Sequence, residues 1–147
     1  MSQRSAVAAW EALFRAQVAV MRHLTAEFPA NDISFNEYDV MFNLSRQADR
    51  SIRLRDLNKH VLLTQPSVSR LVDRLASRGY VAKHPDPDDG RGAIVELTDA
   101  GYALFRRVAV DHMGSITTRV GDSLSTDELV QLTALCDRLR LGPDQPA

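Results

Sequence analysis

Apolar residues recur at helical spacing through the first thirty residues: Trp10, Leu13, Phe14, Met21, Leu24 and Phe28, with Gln17 inside the stripe. Pro29 and the Ala-Asn-Asp after it end the pattern. The stripe is long for a helix that covers only its own subunit's core, so part of it is expected to face a partner chain. Ser34-Phe35-Asn36-Glu37 then has the form of a capping box, with Ile33 and Tyr38 placed to staple across it. A second helix is predicted there, turning Tyr38, Met41, Phe42 and Leu44 inward. It fades in the polar run Gln47-Ala48-Asp49-Arg50.

Two short helical patterns follow. Leu54, Leu57 and Val61 share a face within Arg53 to Val61. After Leu62-Leu63, Thr64 is a good N-cap, and Pro66 suits a first turn, where its missing N–H would have no partner. Leu63 and Val68 are placed as a staple. Val68, Leu71, Val72 and Leu75 form one face, and Gly79 is suited to a left-handed stop. Two such helices joined by a tight turn are a helix-turn-helix. Tyr80 to His84 and Ala93 to Leu97 then alternate as strands, separated by the polar tip Pro85 to Gly92. A helix-turn-helix followed by a hairpin with a charged tip is a winged helix.

Thr98 caps a long fifth helix whose apolar positions run from Tyr102 through Phe105, Val108, His112/Met113 and Ile116 to Val120. Ser125-Thr126-Asp127-Glu128 is a second capping box, and the helix it opens carries Leu129, Leu132, Cys136 and Leu139 before Gly142-Pro143-Asp144 ends it. The fold class is therefore mainly α with a small β-hairpin wing.

Composition narrows the function. A chain of 147 residues with 44% hydrophobic and 25% charged residues is an ordinary globular domain. It has no apolar run near the roughly 20 residues of a membrane helix, the pattern of its first residues leads us to expect no secretion, and its single cysteine suits a reducing compartment. A cytoplasmic, nucleoid-associated protein is expected. The net charge is −1, but Arg50 to Gly92 holds nine Lys/Arg against five acids, +4, leaving −5 for the rest. A basic middle with acidic ends points to one anion-facing surface.

On the helix from Thr64 to Ser77, at about 100° per residue, Pro66, Arg70, Asp73, Arg74 and Ser77 lie opposite the apolar face, with Ser67 near its edge. Arginine forks onto guanine, glutamine (here Gln65) pairs with adenine, and serine reaches bases or phosphates. The plain alternative is a solvated polar face. The helix before it and the wing after it favour DNA.

In order and spacing, Thr64-Gln65-Pro66-Ser67-Val68-Ser69-Arg70-Leu71-Val72-Asp73-Arg74-Leu75, then Arg78-Gly79-Tyr80-Val81, then Asp86-Pro87-Asp88-Asp89-Gly90-Arg91-Gly92 leading into Leu97-Thr98-Asp99-Ala100-Gly101, closely resemble the MarR family of bacterial transcription regulators. The resemblance spans about Trp10 to Leu139. It implies a homodimer built from helices within 1–32 and 99–141, and a winged helix-turn-helix lobe over 34–98. It also implies DNA contacts from Thr64, Gln65, Ser67, Ser69, Arg70, Arg74, Asp89 and Arg91, with Arg91 in the minor groove and Asp89 orienting its guanidinium. The expected function is a repressor on a palindromic operator in double-stranded DNA. Many relatives bind a phenolic or aromatic effector that loosens the grip on DNA, and Trp10, Gln17 and His112 are the candidate lining here. The chain departs at Gly90, where the family often has a second basic residue, and at Asn58, where a small apolar residue is common.

Other readings stay in view. Aromatics at helical spacing also serve as plain core, and Gln17 also suits a pairing across a dimer. Cys136, on an apolar face without a cationic neighbour in the pattern, reads as an inert thiol rather than a redox sensor. His23, His60, His84 and His112 have no ligand spacing, so no metal and no cofactor is expected. No catalytic motif stands out, so an enzyme is not expected. The alternative to a regulator is a winged-helix protein-interaction module that no longer binds DNA, which would show an exposed apolar patch on the same face.

Overall fold

The computed structural model describes residues 2–61 and 65–143, with the Gln65 side chain left out. In chain order the elements are α1 (Gln3–Glu27), α2 (Phe35–Ser45), a 3-10 turn (Ala48–Arg50), β1 (Ser51–Arg53), α3 (Leu54–Leu57), α4 (Gln65–Ser77), β2 (Val81–Asp86), β3 (Asp89–Leu97), α5 (Asp99–Ile116), a π-helical turn (Thr117–Gly121) and α6 (Thr126–Leu141). The architecture is mainly helical with one small antiparallel sheet. It divides into two compact units, residues 29–111 and the two end segments together.

In the unit 29–111 local signals start and stop the helices. Both halves of the first capping box form: the Glu37 N–H donates to Ser34 Oγ at 3.1 Å and the Ser34 N–H to Glu37 Oε1 at 3.0 Å. α4 ends on Gly79 at φ +80, where the Tyr80 N–H reaches the Leu75 carbonyl and the Gly79 N–H that of Ala76. That pair closes the helix as a Schellman motif, which glycine adopts without steric cost. Val40, Met41, Leu44, Leu57, Val68, Val72, Leu75 and Val95 are fully buried and form the centre of this unit. Phe105 of α5 stacks on Tyr38 at 5.2 Å between ring centroids.

Three features differ from the sequence reading. The third helix is a single turn, Leu54–Leu57, and a strand not read from the sequence, β1, precedes it. Asp49 and Arg50 both take positive φ, which turns the chain sharply into that strand. β1 pairs with β3, Ile52 opposite Val95, giving the strand order β1-β3-β2. The hairpin also runs further than expected. The ladder continues to Asp86 opposite Asp89, so the eight-residue tip shrinks to a turn at Pro87-Asp88. Pro85 is tolerated because β2 is an edge strand, and the register shifts between Pro85 and Asp86.

A close approach joins the hairpin to α5. A Cβ on Gly101 would lie 2.0 Å from the Tyr80 carbonyl oxygen, so the first turn of α5 meets the start of the wing at a point only glycine allows. Thr98 fixes this junction by donating to the Gly79 carbonyl at 2.7 Å and accepting the Gly101 N–H at 3.0 Å.

The unit of end segments is built differently. α1 buries only Leu24, and α6 buries no residue. Phe28 and His112 are buried and meet edge to face at 5.4 Å. Burial of the imidazole lowers its pKa from the ordinary value of 6.5. α6 starts on its capping box, with Ser125 and Glu128 exchanging bonds. Cys136 on this helix is free and half-buried.

Candidate nucleic-acid interface

The scaffold of α4 separates two faces. Val68, Leu71, Val72 and Leu75 are buried, while Pro66, Arg70, Asp73, Arg74 and Ser77 are exposed. Its C-terminal end is anchored through Arg78, which lies 3.8 Å from the largely buried Glu37 carboxylate and 5.0 Å above the Tyr80 ring. Because Glu37 also caps α2, one side chain sets both the start of α2 and the end of α4.

The candidate contact residues fall into two groups. Gln65 opens α4, Ser67 and Ser69 are half-buried, and Arg70 and Arg74 are exposed further along the helix. Arg70 Nη2 is 3.4 Å from Ser67 Oγ, a weak contact that leaves the remaining guanidinium donors for a ligand. Thr64 lies outside the described residues. Asp89 and Arg91 sit on the hairpin, Asp89 half-buried and Arg91 exposed. Together they place the guanidinium groups of Arg70 and Arg74 on a helix face and that of Arg91 on a strand tip of one compact unit, donors that phosphate oxygens and base edges accept.

At the tip the carboxylates are already engaged. Asp89 accepts the Arg91 main-chain N–H at 3.1 Å and lies 3.9 Å from the Arg55 guanidinium. The expected Asp89 contact is with the Arg91 side chain. In this structure the two-residue spacing directs the carboxylate to the main chain, and among the described residues its cationic neighbour is Arg55. Asp86 and Asp88 meet Arg53 at 2.9 and 2.7 Å, and Lys83 of β2 meets Asp73 of α4 at 2.9 Å. Arg53, Arg55 and Lys83 were visible in the sequence only as part of the basic stretch. No short spacing signals their partners, which lie 10 to 35 positions away in the chain.

The three candidate effector residues sit in the other unit. Trp10 is 62% exposed on α1 and 5.9 Å from Phe14, Gln17 is exposed, and His112 is buried. An open cleft of about 380 Å³ along α1 is lined by Phe14, Arg15, Val18, Ala19, Arg22 and His23, none of the three. Among the described residues no group of three or more His, Cys, Asp or Glu side chains is gathered for a metal, and no helix is long and apolar enough to cross a membrane.

Comparison with known proteins places this arrangement. A sequence model described as MarR family matches residues 31–92. The HTH-type transcriptional regulator PecS of Dickeya dadantii is 27% identical over 128 residues, covering 86% of this chain and 76% of that protein. Among solved structures, Sco3205 of Streptomyces coelicolor, a MarR family transcriptional regulator in complex with DNA, superposes with a TM-score of 0.77 at 24% identity, over 98% of this chain and 92% of that one. The PcaV transcriptional regulator of the same organism, in complex with its natural ligand, gives 0.70 at 25% identity, over 87% and 89%.

Proposed function

We propose that the chain is a MarR family transcriptional regulator, as the family match over residues 31–92 and the likeness to PecS support, and that it acts as a homodimeric repressor on a palindromic site in double-stranded DNA. The chain is a regulator and not an enzyme. The observation that carries the finer reading is the division of α4, whose buried apolar face fixes an outer face carrying Arg70 and Arg74. α4 enters the major groove, with Arg70 and Arg74 and the N-terminal residues Thr64, Gln65, Ser67 and Ser69 in contact with bases and phosphates. The wing brings Arg91, backed by Asp89, to the adjacent minor groove. Two copies related by a two-fold axis set their recognition helices roughly 34–36 Å apart, or a multiple of that. The protein acts in the cytoplasm, at the nucleoid.

The second copy is supported by the exposed apolar residues of the end segments: Trp10, Phe14 and Met21 on α1, and Val130, Leu135 and Leu139 on α6. A protein-interaction module without DNA binding would carry such residues on α4. The exposed large apolar side chains lie elsewhere among the described residues.

Release by a small aromatic or phenolic effector completes the reading, with Trp10, Gln17 and His112 as its contacts. It is supported by the likeness to PcaV, which was solved with its natural ligand. Genomic binding followed by footprinting tests the whole proposal. A symmetric protected site is expected, and Arg70→Ala is expected to cost about 1–3 kcal/mol of binding and to relax one symmetric base position. The absence of any protected site would overturn it.

A further inference from the structure

The wing carries three carboxylates, Asp86, Asp88 and Asp89, where the proposed function needs a surface that approaches phosphates. Arg53 resolves this conflict. Its backbone is fixed in β1, opposite Ile94 of β3, so its side chain starts from the rigid sheet rather than from the turn. Its Nε reaches Asp86 Oδ2 at 2.9 Å and its Nη2 reaches Asp88 Oδ2 at 2.7 Å, one guanidinium fork on two carboxylates. The Asp86 side chain is only 2% exposed, and its other oxygen accepts the Asp88 N–H at 2.9 Å. The buried carboxylate is thus paired on one oxygen and hydrogen-bonded on the other, which offsets the cost of taking it out of water.

Asp86 lies at the register shift that follows Pro85, and Asp88 belongs to the turn that leads from it into Asp89 and Arg91. We propose that Arg53 is the positioning residue of the wing: it clamps the turn through Asp86 and Asp88, neutralises both towards DNA, and so sets where Arg91 is presented. The clamp rests on the reading of the wing as a DNA contact. It assigns Arg53 a role inside the lobe and not on the nucleic acid. Lysine carries the charge but not the planar fork, so it holds one carboxylate at a time.

The test measures affinity for the footprinted operator with A·T-rich and with G·C-rich flanks, for the wild type and for Arg91→Ala, Arg53→Gln, Arg53→Lys, Asp88→Ala and the Arg53→Gln/Arg91→Ala pair. Thermal unfolding of each variant confirms that the lobe is folded at the assay temperature. A narrow A·T-rich minor groove attracts an inserted arginine, so Arg91→Ala is expected to lose about tenfold on those flanks and less on the others. Arg53→Gln should lose the same flank preference, the double variant should be no worse than Arg53→Gln alone, and Arg53→Lys should fall between it and the wild type.

Asp88→Ala supplies a test of sign in a variant that leaves the buried pair intact, and it decides the matter if Arg53→Gln does not fold. Asp88→Ala removes a negative charge near DNA. A clamp nonetheless predicts a smaller flank preference, whereas simple charge removal predicts equal tightening on both flanks. Equal tightening, or additive losses in the double variant, would overturn the clamp alone. An Arg91→Ala protein with wild-type affinity on both flanks would remove the wing reading and the clamp with it.

Discussion

The two units spend their apolar residues in opposite ways. Within 29–111 the apolar side chains of α2, α4 and the sheet point into a shared centre, and Phe42 and Val110 are the large ones left exposed among the described residues. In the end segments Leu24 and Phe28 are the buried ones, while Val7, Trp10, Phe14, Val18 and Met21 of α1 and Val130, Leu132, Leu135 and Leu139 of α6 stay on the surface. Both regions read as amphipathic helices in the sequence. A stripe read from periodicity says that a face will be buried, not which chain will bury it. One unit buries its apolar residues in its own core, whereas the other leaves them on its surface, where the proposed second copy would cover them.

Deleting Thr126 to Ala147 should break this comparison hardest. The deletion removes the exposed Val130, Leu132, Leu135 and Leu139, and dimerisation and DNA binding should fall together, with operator affinity down on the order of 100-fold or more. Sedimentation and gel shift on the same sample check it. A folded monomer that still binds the operator with wild-type affinity contradicts the assignment.

Two leucine truncations sharpen the contrast. Leu75 is fully buried in the lobe, so Leu75→Ala should cost about 2–5 kcal/mol. Leu139 is 69% exposed, so Leu139→Ala should show its cost only through assembly, as a midpoint that shifts with protein concentration. Denaturant unfolding at two protein concentrations separates them. Concentration dependence confined to the Leu75 variant would reverse the roles of the two units.

A smaller effect is expected at the wing. A Cβ on Gly90 meets nothing within 4 Å, so Gly90→Lys places a cation beside Arg91 without strain. It should tighten DNA binding and steepen the salt dependence by about one unit. An unchanged slope in a salt titration would show that position 90 stays clear of the phosphates.

The smallest effect concerns pH. His112 is buried against Phe28 with its pKa below 6.5, so the unfolded chain binds the proton more readily than the folded one. Its neutral burial therefore carries no protonation penalty above about pH 6.5, and stability is lost as the pH falls from there towards the folded pKa. Thermal midpoints at pH 7.5 and 5.5 should differ less for His112→Gln than for the wild type. Equal differences would mean that the imidazole titrates as it does in the unfolded chain.

What the sequence made legible was local. The Ser34 and Ser125 capping boxes, the Gly79 stop and the two faces of α4 are each set within one or two helical turns, and each formed. β1 escaped notice because three residues carry no periodicity, and its strand character comes from pairing with β3 more than forty positions away. The length of the wing escaped because Pro85 and the glycines at 90 and 92 read as loop formers, although an edge strand accepts them. Arg53 could be counted as a charge, but its bond to Asp88 spans 35 positions and depends on β1 lying beside the turn. Of the candidate contact residues, Arg70 and Arg74 on the outer face of α4 followed from spacing, whereas the surroundings of Asp89 and Arg91 depended on folded geometry.

The central claim, that a self-sufficient lobe reads DNA while the end segments recruit a second copy, is tested most directly by the mass of the protein–DNA complex. Sedimentation equilibrium should be run on the footprinted palindrome and on a duplex carrying one half-site. The account predicts two chains on the palindrome, and binding on the order of 100-fold weaker or more to the single half-site. One chain bound to the half-site with the affinity of the full palindrome would contradict it.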